Sequence, residues 1–315
     1  MQLQFENNVV RRENKVFARI FVILSIVLFV LLLGIFAYRV YIINRNEVPS
    51  IKKLFNYWEE KDYNSVYDVS GNLLEKNPLQ NKALTFRGFS CFFLALSQTD
   101  LTLTQNFLEE CINCLRIAMR NSSKNSLSQI YYMLGKAYFH KNDFSNFHYY
   151  SDLAIKYLCK AQELGYNSSD IPEYLGLSYA ELGETELSIK SFTEALLVNE
   201  SDELLLAIAQ QYYKFKKANT AKQYLYKINQ ESSNELLVLK SRILLAQIYI
   251  DENKYEDALS EFESVLSKDA NSADAYYGVG VIYEKQGDMA KARAEWRKAL
   301  RVQVNHPGAL SKMGK

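Results

Sequence analysis

The residues with the most reactive potential are four cysteines and three histidines. Cys111-x-x-Cys114 has the spacing of half a zinc or redox site. It lies inside LEECINCLRIAM, a helical run, and no second Cys or His pair stands at metal-ligand spacing. Two thiols at i and i+3 of a helix are poorly placed for a disulfide, so apolar packing is expected of both. Gly278-Val-Gly280 lacks the preceding strand and the third glycine of a dinucleotide-binding loop. His140 and His148 straddle an inter-helix turn without an HExxH frame, and His306 beside Pro307 reads as turn punctuation. No Ser/His/Asp or Cys/His grouping suggests a nucleophile with its base. Three sequons, at Asn121, Asn167 and Asn199, are what chance supplies in a chain so rich in asparagine and serine. The expectation is a protein without catalytic residues, metal or cofactor, so attention moves to the elements that build its surfaces.

Only 4 of 315 residues are proline and 12 are glycine, while 48% are hydrophobic, a balance that excludes collagen-like and long disordered chains. With 37 basic against 36 acidic residues there is no general positive field to hold phosphates, and nucleic acid is not an expected partner. Four cysteines are too few for a disulfide-built scaffold.

From Ile20 to Tyr38 run 19 consecutive uncharged residues, interrupted only by Ser25 and Gly34. At about 1.5 Å per residue such a helix nearly spans a hydrocarbon core of about 30 Å. Arg19 and Arg39 bracket it, and Tyr38 and Tyr41 fall at headgroup level. No small-residue cleavage motif follows, so an uncleaved anchor is expected. Basic residues balance across the span: Arg11, Arg12, Lys15 and Arg19 before it, Arg39, Arg45, Lys52 and Lys53 after it. A short basic tail ahead of a lone span reads as a signal anchor with its N-terminus in the cytoplasm. The expected organisation is a cytoplasmic tail (1–19), a transmembrane anchor (20–43) contacting the lipid bilayer, a linker (44–49), a helical solenoid (50–307) outside the cytoplasmic membrane, and a short C-terminal tail (308–315).

The solenoid is read from an internal period. Aligning YYGVGVIYEKQGDMAKARAEWRKAL on SRILLAQIYIDENKYEDALSEFESVL superposes Gly280 on Ala246, Tyr283 on Tyr249, Gly287 on Asn253 and Trp296 on Phe262, at an offset of 34. A small marker residue in each first helix, with Leu54 in the first unit, gives Leu54, Gly88, Gly135, Gly176, Ala209, Ala246 and Gly280, spaced 34, 47, 41, 33, 37 and 34. A small marker lets two helices approach closely, and a Tyr three residues on follows in six units. Gly183, Gly287, Asn142 and Asn253, seven after their markers, suit a left-handed residue ending the first helix. Asp170 with Glu173 resembles a capping box, with Pro172 tolerated in the first turn. The second unit runs long and has Cys91 for Tyr. The third is expected to stretch its second helix through Lys160 to Leu164.

This pattern resembles the tetratricopeptide repeat (TPR) over about residues 50–307. The resemblance implies an all-α, right-handed superhelical solenoid of about seven helix-turn-helix units. It further implies that first helices line a concave groove for peptides or proteins. Carried over by position, the lining comprises Phe89, Phe92, Tyr132, Lys136, Phe139, Leu177, Gln210, Tyr213, Ile243, Gln247, Ile250, Tyr277 and Val281, with Thr85, Glu173, Ala180, Leu206 and Glu284 beside them. Rings would supply contact area there, and the amides could bond a peptide backbone. A solenoid end needs a polar cap. The last unit carries Lys291, Arg293, Arg297, Lys298 and Arg301, a basic face either capped by its own charge or covered by another molecule. The functional expectation is a membrane-tethered scaffold that assembles or stabilises an envelope complex, such as secretion machinery or a periplasmic flagellar motor collar. A periplasmic chaperone or peptide receptor, and an adaptor facing the cytoplasm, are its alternatives.

Overall fold

The computed structural model describes residues 19–39, 50–144 and 150–314, and all regular structure among them is helical. Helix α1 (Arg19–Arg39) has a mean hydropathy of 3.3 and buries none of its apolar stretch, so it is long and apolar enough to cross a bilayer. Within the apolar run the Ser25 hydroxyl donates to the Phe21 carbonyl 2.8 Å away, so it is bonded inside the span. Tyr41 and the flanking Arg11, Arg12, Lys15 and Arg45 lie outside the described residues, as does His148.

Seven helix pairs follow. They are α2 (Ile51–Glu59) with α3 (Tyr63–Lys76), α4 (Asn81–Ser97) with α5 (Leu101–Ala118), α6 (Lys124–Asp143) with α7 (Ser151–Glu163), and α8 (Ile171–Glu181) with α9 (Thr185–Leu196). The array continues with α10 (Asp202–Lys214) and α11 (Ala218–Glu231), α12 (Glu235–Asp251) and α13 (Tyr255–Lys268), and α14 (Ala273–Lys285) and α15 (Met289–Val302). Each first helix packs on the second helix of its own unit. It also approaches the next first helix, α2 to α4, α4 to α6, α6 to α8, α10 to α12 and α12 to α14. First helices therefore form the inner layer.

The marker residues do what their size predicts. A Cβ on Gly176 would lie 2.4 Å from the Phe192 ring, so only glycine lets α8 and α9 close onto that fully buried side chain. Leu115, Leu158 and Trp296 fill the same place against Gly88, Gly135 and Gly280. Burying each such side chain contributes about 1.5–3 kcal/mol. Gly278, in the glycine pair that the sequence does not make a dinucleotide-binding loop, is likewise a packing device, seated against the Phe262 ring.

The first-helix stops are also left-handed, at Gly183 (φ 75°), Gly287 (φ 85°) and Asn253 (φ 58°). Lys61 (φ 58°) and Lys216 (φ 60°) occupy the same place, seven residues after Leu54 and Ala209. Asn142 departs from the expectation: it is helical and buried, and its side-chain oxygen accepts from the Tyr150 N–H at 3.1 Å. The cause is an insertion. Second helices begin nine residues after the marker in units one and four to seven (Leu54 to Tyr63, for example) but sixteen after it in unit three (Gly135 to Ser151). Three of the extra seven residues lengthen α6, which runs to Asp143, and the other four fall between α6 and α7. The second helix runs through Lys160 to Glu163 as expected but is not stretched: α7 has 13 residues against 14 in α3, α11, α13 and α15, because it begins late.

The C-terminal end also differs from a plain tail. Pro307 opens a further helix, α16 (Pro307–Met313), whose Ala309 is buried with Ala292, Trp296 and Ala299 of α15. His306, far from mere punctuation, caps it: Nδ1 accepts the Ala309 N–H at 3.1 Å while Nε2 faces Asp274 Oδ1 at 3.0 Å. With Nδ1 an acceptor, Nε2 carries the proton and donates to the carboxylate. A cap of this kind contributes about 0.5–2 kcal/mol.

Candidate interaction groove

The sequence-derived lining divides into three groups. Phe89, Phe92 and Ile250 are core residues, and at 1% exposure neither Phe92 nor Ile250 offers a ligand any surface. Thr85 and Leu206 are buried too. Their helices are covered on the inner face by the neighbouring first helix, which the family-derived positions did not anticipate.

The second group, Tyr132, Lys136 and Phe139 on α6, is drawn into one cluster with α8. Lys136 Nζ lies 2.9 Å from Asp170 Oδ2 and 3.1 Å from the Tyr132 hydroxyl. It also sits 4.9 Å from the centre of the Tyr174 ring, 5.1 Å from Tyr132 and 5.5 Å from Phe92, within cation–π range of all three. The Tyr132 hydroxyl donates to Asp170 Oδ2 at 2.7 Å, and the Ser168 hydroxyl donates to Asp170 Oδ1 at 2.5 Å. Burial pushes the Asp170 carboxyl upward, but the bonds from Ser168, Lys136 and Tyr132 outweigh it and hold the acid below its ordinary value. This explains why Asp170 makes no cap bond at the start of α8, contrary to the capping-box reading: its oxygens are already taken. His140 completes the cluster, Nε2 3.3 Å from the Tyr174 hydroxyl, held down to about 4 by burial and by the Lys136 charge. With every polar group satisfied, the cluster joins units two, three and four and presents no vacant chemistry.

The third group remains accessible. Gln210 is exposed, while Leu177, Tyr213, Ile243, Gln247, Tyr277 and Val281 are half-buried on the inner layer of units four to seven. Tyr213 donates to Asp251 Oδ2 at 2.5 Å, and Gln247 reaches Asp251 Oδ1 at 3.5 Å. Burial, then the Asp251 carboxylate, raise the Tyr213 hydroxyl above its ordinary value, so it stays a neutral donor. Tyr277 is partly covered by α16, its ring 5.0 Å from that of His306. The positions the sequence reading missed are Asp170, Tyr174 and Asp251. A signal existed for them: Lys136–Asp170 and His140–Tyr174 are both 34 residues apart, one repeat length, and complementary types at that offset meet across a unit interface.

The basic face of the last unit is exposed in full. Lys291 and Lys298 pair with Asp288 (3.1 Å) and Glu295 (2.7 Å) of their own turn or helix. Arg293, Arg297 and Arg301, spaced i, i+4, i+8, meet no carboxylate among the described residues. The thiols are apolar filler: Cys91 and Cys111 are fully buried, and burial raises Cys114 to about 11.

These features define a class. The described helices from Ile51 to Met313 form a tetratricopeptide-repeat solenoid. The family model for the tetratricopeptide repeat protein 21 C-terminal ARM domain matches residues 159–310. Among solved structures, the C-terminal part of a TPR repeat-containing protein from Cytophaga hutchinsonii is similar with a TM-score of 0.55 at 16% identity, over 83% of this chain and 98% of that one. YrrB, described as a TPR protein with an unusual peptide-binding site, superposes with a TM-score of 0.46 at 21% identity, over 64% of this chain and 98% of its own. A probable biofilm formation methyltransferase, WspC of Pseudomonas putida, is 35% identical over 80 residues. This chain spans 18% of that relative's length, and the match covers 25% of this chain.

Proposed function

We propose that this protein is a non-enzymatic, membrane-anchored scaffold that holds an extended or helical peptide segment of a protein partner against the inner layer of units four to seven. The observation carrying this reading is the division of the groove. The Tyr132, Lys136 and Asp170 side chains of units three and four are bonded to one another, whereas Gln210, Gln247 and the rings of Tyr213 and Tyr277 stay within reach of a ligand. Amides paired with half-buried rings suit a peptide backbone and its apolar side chains. Helix α1 supports tethering by its length and hydropathy. On this reading the repeats stand outside the cytoplasmic membrane and organise an envelope complex.

The test is recovery of partners from gently solubilised membranes by wild type and by the Gln210→Ala/Tyr213→Ala variant. A stoichiometric partner lost in the variant, with helicity unchanged, supports the groove. No partner, or equal recovery, refutes it. Protease protection of a C-terminal tag in spheroplasts and inverted vesicles fixes the side of the membrane: digestion in inverted vesicles alone would make the protein a cytoplasm-facing adaptor.

A further inference from the structure

Charge is unevenly laid along the solenoid although the whole chain is nearly neutral. Residues 170–203 carry nine acidic side chains and one basic, Lys190, whereas residues 285–301 carry six basic and two acidic. The first stretch is unit four and the start of unit five; the second is the end of α14 and α15. Each also exposes apolar side chains at the turn that follows its second helix. After α9 these are Leu197, 85% exposed, and Val198, beside Glu194, Glu200 and Glu203. At the end of α15 and just after it they are Val302 and Val304, the latter 80% exposed, beside Arg297 and Arg301. Equivalent turns of a repeat array share one edge. One edge therefore bears an acidic-apolar patch and, three units on, a basic-apolar patch.

We infer that a second copy of this chain covers these patches, in an antiparallel pair that sets the Arg297/Arg301 patch of each copy against the Glu194/Glu203 patch of the other. The complementarity is internal to the sequence: each copy supplies what the other lacks, and apolar side chains meet apolar side chains. Two-fold pairing uses both patches twice and closes the assembly, whereas a head-to-tail contact would leave one of each unpaired at the ends. Between the two patches the edge of units five and six opens as a cleft lined by Asn229, Ser232, Ser233, Ser264 and Ser267 with Glu235, Arg242 and Lys268, whose charges are offset within the chain: Arg242 pairs with Glu261 at 2.6 Å and Lys268 stands 3.9 Å from Glu235. Arg297 and Arg301 are exposed and pair with no carboxylate among the described residues, so they can pair outward. This inference does not rest on the peptide groove, whose residues lie on the inner layer.

Sedimentation velocity of the full chain in detergent, at low and at high salt, tests it. The expected result is a dimer that weakens with salt, as exposed ion pairs do. Arg297→Glu/Arg301→Glu and Glu194→Lys/Glu203→Lys should each weaken association by roughly 30-fold, the loss of four exposed pairs of modest strength. An equimolar mixture of the two variants should recover the dimer, because reversed patches then face reversed patches. Circular dichroism confirms that both variants keep their helices. A monomeric wild type at low salt, a dimer indifferent to both reversals, or open-ended polymers would each overturn the inference.

Discussion

Acid should loosen the joint between the third and fourth units before it affects the rest of the solenoid. His140 is held down to about 4, first by burial and then by Lys136, against an ordinary value of 6.5. Its folded-state value is depressed, so the unfolded chain binds the extra proton between these two values. Stability is complete above about pH 6.5 and falls as pH drops toward 4. The gap corresponds to about 2 kcal/mol lost at pH 5 and about 3 kcal/mol at pH 4. His140→Phe keeps a ring against Phe92, Phe139 and Tyr174 and cannot titrate. Urea unfolding of wild type and variant, compared at pH 7.5, 5 and 4, isolates the His140 contribution from that of the carboxylates common to both. Equal slopes of stability against pH in the two proteins would refute the assignment. So would an NMR titration of the His140 ring with a midpoint near 6.5.

Two further perturbations follow from the backbone. Gly176→Ala drives a Cβ to 2.4 Å from the Phe192 ring and should destabilise the fourth unit by about 1–3 kcal/mol, read as a lower urea midpoint. Lys216→Gly removes the cost of a left-handed lysine (φ 60°) and should stabilise by up to about 1 kcal/mol, read as a higher midpoint with unchanged helicity. No gain there would mean that the Lys216 side chain makes compensating contacts.

The period, the seven helix pairs and the marker contacts were legible because each is a local matter of size and spacing, as at Gly176 and Gly280. The left-handed stops at Gly183, Gly287 and Asn253 were legible for the same reason. Lys61 and Lys216 were not, because their backbone conformation is imposed by the turn rather than favoured by the residue. Asp170 misled as a cap because the side chains that claim its carboxylate come chiefly from α6, 34 to 38 residues earlier. The groove was the least legible element. Family positions say which residues point inward, but exposure depends on how closely adjacent first helices approach, and at Phe92 and Ile250 they leave no room.

The one-dimensional order of the units has a mechanical consequence. Each unit touches only its neighbours, so a pull between the two ends of the chain crosses every unit interface in series. Extension under load is then governed by the least resistant interface rather than by the average. Side-chain bonds cross some of these interfaces: Arg87 to the Tyr67 carbonyl between units one and two, Lys136 to Asp170 between three and four, and Tyr213 to Asp251 and Lys222 to Glu252 between five and six. A stretched molecule would therefore give way first at an interface held by apolar packing alone, rather than uniformly along its length.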